Sequence, residues 1–292
     1  MTTEINKIEL NGSGMAIRSH INEELFRKID AKKIGTIYFA YTYEEWQKGK
    51  SYPDEKDMVL LNTLFKENKH IRLDIDEKWM LPLVPEVERF WFKKYDGESV
   101  EFLKKNNTVR SLYFNNSADS KTDLTTLLPF GETLEYLHLD ASQYKPYDNI
   151  EAVLNGMKKL SKLSLASVPI DFSRVNENST LEILSYHGSK IKEWEGIVKL
   201  TGLKSLTISN NTTVSDLGFL LGLPNLEDAN FMYCSRIVRF PDLSGLKKLK
   251  NIYALECNRL EDVEELKKLS NVDVSVQGKV LPGKSYLNRP NK

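Results

Sequence analysis

The stretch LKNIYALECNRL, residues 249–260, repeats a frame that also stands as LEDANFMYCSRI (226–237) and, at the same interval before that, as LKSLTISNNTTV (203–214). Apolar residues recur at the same places in all three copies, and an Asn or Cys stands at a fixed place near the end. The apolar-x-apolar alternation is typical of a short strand with one buried face. A fixed period of this length indicates a protein built from stacked repeats.

Weaker copies of the frame extend towards both ends of the chain. They begin at residues 5, 34, 70, 87, 109, 134, 160, 181 and 269, which gives twelve candidate strands in all. The copy at 70–75 fits two registers that differ by two residues. One short strand cannot bury its apolar face alone, but parallel neighbours about 4.8 Å apart share a continuous core. We therefore expect one domain over 1–292, rather than two domains that divide near residue 85.

This pattern resembles the leucine-rich-repeat family. The C-terminal copies resemble internalin-type repeats, which carry an additional Asp-Leu pair after the strand, here within SDLGFLLGLPNL (215–226), PDLSGLKKL (241–249) and EDVEELKKL (261–269). The resemblance implies an α/β fold, a right-handed solenoid with a parallel sheet on its concave face. It also implies protein recognition as the common role.

The segments that connect the strands differ along the chain. Three early ones have helical composition, at 22–33, 53–68 and 97–106, and Pro53-Asp54 is a typical helix start. The later ones are short and contain Gly or Pro, which favours 3₁₀ or irregular turns. We expect convex-side helices in the N-terminal half and short or irregular returns in the C-terminal half. Repeats are expected over 34–277, with a cap or degenerate repeat at 1–33 and a tail at 278–292.

Composition narrows the classes of function. Lys plus Arg and Asp plus Glu both number 41 in 292 residues, so the net charge is zero and a nucleic-acid partner is not expected. No apolar stretch is long enough to span a membrane, and the first residues lack the apolar segment of a secretion signal. Two cysteines without such a signal fit the reducing cytoplasm.

The cysteines and histidines give no pattern typical of catalysis. Cys234 and Cys257 share a Cys-x-Arg spacing and the place at which this family has a ladder of Asn, Cys, Ser or Thr, so we expect free, inward-facing thiols. The histidines do not converge on one point as metal ligands would, and no phosphate-binding or metal motif is present, so no cofactor is expected. His138 has Ser164 as its expected neighbour, and a Ser–His pair without an orienting acid is weak support for a hydrolase.

The outward positions of the predicted strands are more informative. Between the third and sixth predicted strands they carry Trp, Tyr and Arg, the residue types enriched where proteins bind one another. The predicted partner-binding residues are Arg72, Arg89, Trp91, Lys93, Tyr113, Tyr136 and His138. The alternatives are that long side chains merely cover a solvated sheet, or that a register shift of one residue buries Trp91.

The sequence thus predicts a non-catalytic, cytoplasmic protein, monomeric when unbound, that binds another protein on its concave face. A narrower hypothesis is an inhibitor or immunity-type protein that sequesters an enzyme or toxin. The rival hypotheses are a hydrolase-like enzyme centred on His138 or Cys257 and a structural protein that assembles with itself.

Overall fold

Two compact units make up the chain, Met1–Asn115 and Asn116–Lys292. The computed structural model describes residues 8–41, 49, 52–75, 77–105, 108–115, 122–142, 147–191, 193–277 and 279–280. In each unit, short parallel strands alternate with return segments. The alternative of a domain boundary near residue 85 does not fit these units, because the strands on either side of residue 85 pair with each other within the first unit. One continuous solenoid over 1–292 stays a prediction.

The first unit contains one sheet in which strand order follows chain order. Its strands are β1 (Ile8–Asn11), β2 (Gly14–Ile17), β3 (Thr36–Phe39), β4 (Arg72–Ile75), β5 (Arg89–Phe92) and β6 (Ser111–Phe114). Strands β2 to β6 are parallel. Along β3, β4 and β5, buried residues alternate with half-buried ones, which confirms the predicted two-sided strands.

The predicted strand at residues 5–13 is present as β1, but its direction is not that of a repeat. β1 pairs antiparallel with β2, and Gly12, with a φ of 60°, forms the turn between them. Glycine accepts such a left-handed backbone without a steric penalty, so a tight hairpin forms here instead of a repeat. The first parallel strand is therefore β2, and β1 forms the edge of the sheet. Residues 1–7 lie outside the described part of the chain.

Helices form where the sequence predicts them in the first unit. The segment at 22–33 contains α1 (Glu23–Phe26) and a 3₁₀ turn at Ala31–Lys33, and the other two segments contain α2 (Glu55–Glu67) and α3 (Gly97–Leu103). A further 3₁₀ helix covers Lys78–Leu83.

The start of α2 is fixed by two reciprocal bonds. The Asp54 carboxylate accepts from the Asp57 backbone N–H at 3.0 Å, and the Asp57 carboxylate accepts from the Asp54 N–H, also at 3.0 Å. This capping box satisfies two amides that the helix itself leaves without acceptors. The helix then buries Met58, Leu61 and Phe65.

The second unit contains the regular repeats. Its strands are β7 (Thr122–Asp123), β8 (Tyr136–Asp140), β9 (Tyr147–Asp148), β10 (Lys162–Ala166), β11 (Ile183–His187), β12 (Ser205–Ser209), β13 (Asp228–Met232), β14 (Asn251–Leu255), β15 (Asp273–Val276) and β16 (Lys279–Val280). Strands β8 and β10 to β15 are parallel neighbours, β16 is antiparallel to β15, and β7 pairs with β9 in a separate small sheet.

Returns in the second unit are mostly short, as predicted. The 3₁₀ helices cover Leu124–Phe130, Phe172–Arg174, Glu195–Lys199 and Gly218–Gly222, and the α-helices are α4 (Ile150–Gly156) and α5 (Glu264–Lys268). None of the helices in the described ranges is long and apolar enough to cross a membrane. The predicted tail at 278–292 lies outside the described residues except for β16.

Equivalent residues of neighbouring repeats stand level with one another. Leu206 pairs with Ala229, and Ala229 pairs with Ile252, each one repeat further along the chain. All three are at most 1% exposed. The period read from the sequence is therefore the structural period of the core.

Candidate functional site

Three outward residues of β4, β5 and β6 form one row across the sheet of the first unit. Asp74 stands level with Trp91, and Trp91 with Tyr113. Of the two registers that the sequence allows for the copy at 70–75, the structure has the one in which Arg72 is level with Thr36 and lies two residues before Asp74. A shift of two residues leaves every side chain on the same face, so the alternation of β4 could not distinguish the two registers.

The side chains around this row are already in contact. The ring centroids of Trp91 and Tyr113 lie 6.4 Å apart with planes inclined by 29°. The Arg72 guanidinium carbon lies 5.3 Å from the centroid of the Tyr113 ring, a cation–π distance. The Nε atom of Arg72 is 3.4 Å from an Asp74 carboxylate oxygen. We call these four residues the sheet-face cluster.

Trp91 is half-buried and faces outward, so the register shift that would bury it does not occur. Two more predicted site residues lie on the same strand or directly after it. Arg89 donates from Nε to the carbonyl oxygen of Lys69 at 3.2 Å, which holds its side chain against the preceding turn. Lys93 follows β5 and is exposed.

The last two predicted site residues belong to the second unit. Tyr136 is half-buried and stands level with Lys162. His138 stands level with Ser164, the predicted neighbour, and its Nδ1 lies 2.9 Å from the Ser164 hydroxyl. His138 is only 8% exposed, so a substrate would have little access to its ring.

The buried Asn or Cys that follows a strand in successive repeats has a structural role. Asn211 is fully buried, and its side-chain oxygen accepts from the backbone N–H groups of Thr213 at 2.9 Å and Val214 at 2.6 Å. Its amide nitrogen donates to the carbonyl of Gly188 in the preceding repeat at 2.7 Å. These bonds satisfy backbone groups where the chain leaves the sheet.

The two cysteines occupy the same place in the next two repeats, and both thiols are free and 0% exposed, as predicted. The Cys234 thiol lies 3.4 Å from the carbonyl oxygen of Ile208, and that of Cys257 lies 3.7 Å from the carbonyl oxygen of Phe231. Hydrogen bonding to Cys257, together with burial, raises the pKa of the Cys234 thiol. The thiols belong to the core, and neither is presented to a substrate.

One parallel strand per repeat, with equivalent residues level across neighbouring strands and a buried Asn–Cys–Cys ladder behind them, decides the architecture. This is a leucine-rich-repeat fold. No protein-family model matches the chain, and no curated protein sequence matches it. Solved structures do match, and leucine-rich-repeat proteins are among them.

Three of those structures illustrate how similar they are to this chain in sequence identity, coverage and TM-score. The internalin InlF of Listeria monocytogenes is 15% identical, with 95% of this chain and 87% of that chain covered and a TM-score of 0.46. A leucine-rich-repeat protein of Leptospira interrogans is 14% identical, with 84% and 72% covered and a TM-score of 0.44. TLR13, solved with ssRNA13, is 14% identical, with 91% and 43% covered and a TM-score of 0.48. The chain thus spans less than half of the TLR13 chain.

The structure brings together one group of possible metal ligands that the sequence pattern did not reveal. Among the described residues, His20, Asp54 and Asp57 bring three ligand atoms within 4.8 Å of one another. The Asp57 oxygens, however, lie 2.7 Å from the Ile21 N–H, 3.0 Å from the Asp54 N–H and 2.9 Å from His20 Nδ1. The cluster therefore ties residues 20–21 to the start of α2. Its members come from distant parts of the sequence, so only the fold reveals it.

Proposed function

We propose that this chain is a non-catalytic module that binds another protein through the sheet-face cluster, with Arg89 and Lys93 at its edge. The observation that carries the proposal is the stack of Trp91 on Tyr113 with Arg72 beside the Tyr113 ring. Trp, Tyr and Arg are the residues that contribute most to protein–protein affinity. Because the three side chains already contact one another in the unbound chain, they lose less conformational entropy on binding than mobile side chains would.

The backbone beneath the cluster supports the same proposal. β5 is hydrogen-bonded on both sides, to β4 and to β6, so the two aromatic residues stand on a paired sheet and not on a loop. Sites on such elements hold their geometry better than sites on loops. In the second unit, Tyr136 and His138 stay proposed binding residues on the same kind of surface, the outward side of parallel strands.

The double variant Trp91→Ala/Tyr113→Ala tests this function. The full chain is used as bait in affinity capture from its native host, and the captured partner is then purified and titrated. We expect affinity to fall at least about 100-fold, because two central aromatic anchors are lost. The matched control is Tyr253→Ala, which removes an outward tyrosine of β14 in the second unit and should leave affinity within about twofold. Equal affinity for the double variant and the parent chain would disprove the assignment.

The narrower proposal is that the partner is an enzyme or toxin and that binding blocks it. A preformed protein-binding surface favours high affinity, because little conformational entropy is lost when it binds. Saturating the captured partner with the chain should then abolish the partner's activity, whereas a fully active complex would leave binding without inhibition. We also take the unbound chain to be a cytoplasmic monomer; a mass in light scattering that rises with concentration would favour the self-assembly alternative.

The enzyme alternative makes an opposite prediction that is simple to check. Hydrolysis of p-nitrophenyl acetate by the parent chain should equal that by His138→Ala and by Cys257→Ser. The reason is access, because His138 is 8% exposed with Nδ1 beside Ser164 and Cys257 is 0% exposed. A turnover that either substitution removes, while the unfolding temperature stays unchanged, would establish catalysis.

A further inference from the structure

The residue after each of the strands β10 to β15 has a left-handed backbone. It is Ser167, Gly188, Asn210, Tyr233, Glu256 or Gln277 in successive repeats, with φ between 50° and 112°. Glycine and asparagine adopt this conformation readily, but a bulky side chain does so at a cost. Tyr233 is therefore the least expected member of this row.

Tyr233 is also unusually exposed. It has 51% of its surface open to solvent, and its side chain has no hydrogen bond or ring contact with any described residue. A strained backbone and a solvated aromatic ring both disfavour tyrosine here. Such a residue points to a function beyond the stability of the fold.

Two arginines occupy equivalent places on the repeat that contains this tyrosine and on the next repeat. Met232 pairs with Leu255 before them, and Arg239 pairs with Asp262 after them, each pair joining equivalent places of the two repeats. Arg236 and Arg259 lie between these two pairs at the same offset, so their backbones occupy equivalent places on neighbouring repeats.

Both arginines are exposed and neither has an ion pair or side-chain hydrogen bond within the described ranges. Some exposed cations of the second unit are paired, as Lys204 is with Glu182 and Lys268 is with Glu265, whereas these two arginines have no such partner among the described residues. Two guanidinium groups of like charge side by side repel each other in the absence of an anion. Their placement therefore favours an anionic partner.

We propose that Tyr233, Arg236 and Arg259 form a second binding surface, the loop-edge surface, which takes an acidic segment of a partner protein. Each guanidinium offers a planar fork that matches a carboxylate, and the tyrosine ring offers an apolar platform next to them. Glu256 stands level with Tyr233 in the next repeat and would repel an acid there. The partner thus places its carboxylates on the arginines and an apolar side chain on the tyrosine.

The chemistry of this surface favours a protein over a nucleic acid. A phosphate backbone is bound by a run of cations along its path. Here the neighbouring places carry acids, Glu256 beside the tyrosine and Asp262 beside Arg239. Two arginines flanked by carboxylates suit a short acidic peptide segment better than a polyanion.

Peptide selection on the full chain tests the proposal. A phage-displayed library of random peptides is selected against the parent chain, and the enriched peptides are titrated by fluorescence anisotropy. We expect enriched peptides that combine Asp or Glu with an apolar residue, and affinity at least about tenfold lower for Arg236→Glu/Arg259→Glu. Tyr233→Gly should weaken binding several-fold yet raise the unfolding temperature by a few degrees, because it removes the backbone strain.

The controls separate this surface from charge effects and from the sheet-face cluster. Lys105→Glu/Lys159→Glu makes the same change in net charge at two exposed lysines and should leave affinity within about twofold. Trp91→Ala/Tyr113→Ala should bind the acidic peptides like the parent chain, so failure of one surface is distinguishable from failure of the other. The proposal is overturned if enriched peptides lack acids, if the arginine variant binds them equally well, or if only a short single-stranded DNA binds there.

Discussion

Replacing Gly202 with alanine is expected to lower the free energy of unfolding by about 3 kcal/mol or more. A Cβ atom at this position would lie 2.1 Å from the carbonyl oxygen of Ser179 and 2.6 Å from its carbonyl carbon. Both atoms belong to the backbone of the preceding repeat, so no side chain can rotate away. The two repeats would have to separate, and the buried contacts between β11 and β12 would loosen with them.

Gly245→Ala is the matched control for this experiment. Nothing lies within 4 Å of a Cβ atom built there, so alanine should be neutral or slightly stabilising, since it restricts the unfolded chain. Urea unfolding monitored by circular dichroism measures both variants against the parent chain. If Gly202→Ala and Gly245→Ala unfold at the same urea concentration, the close approach of the two repeats is not what Gly202 provides.

Asn211→Ala is expected to have an effect of similar size, about 3 kcal/mol. The substitution leaves two backbone N–H groups, those of Thr213 and Val214, and the Gly188 carbonyl without their partner. Each buried group that loses its hydrogen bond costs about 1–3 kcal/mol, and Asn211 itself is 0% exposed, so water cannot easily replace it.

The neighbouring repeats supply an informative second variant. Cys234 fills the equivalent place one repeat later, so Asn211→Cys should keep the packing but lose the accepting oxygen. Its unfolding free energy should fall between those of Asn211→Ala and the parent chain. Asn258→Ala, at an exposed turn residue, should change stability by less than about 0.5 kcal/mol. An Asn211→Ala variant as stable as Asn258→Ala would show that these bonds contribute little.

The regular repeats were predictable because the residues that recur once per repeat in the sequence are also the residues that are buried. Leu206, Ala229 and Ile252 recur once per repeat in the sequence and pair in the sheet, so one pattern specifies both strand and register. The ladder position of Asn211 and the two cysteines followed from the same frame. Where the frame weakens, local chemistry decides, as Gly12 does when it turns the first predicted strand into an antiparallel hairpin.

The candidate site was predictable in composition but not in arrangement. Alternation alone places Arg72, Trp91 and Tyr113 on the outward face, and the structure agrees. It cannot place Arg72 in its row, because a shift of two residues preserves the alternation, and it did not place Asp74 beside Trp91. The spacing shared by Arg236 and Arg259 was visible in the sequence, yet their lack of ion-pair partners among the described residues was not.

The sequence by itself determined the repeat, its period, which side chains face inward and where the three helical returns of the first unit lie, because each of these depends on local spacing and on burial of the leucine frame. Only the tertiary structure decided which outward residues touch, which backbones approach too closely for a Cβ atom, and where the left-handed turn falls on Tyr233. Those features depend on the alignment of one repeat against the next. That alignment is set by distances between residues a whole repeat apart, which the residues of a single repeat do not encode.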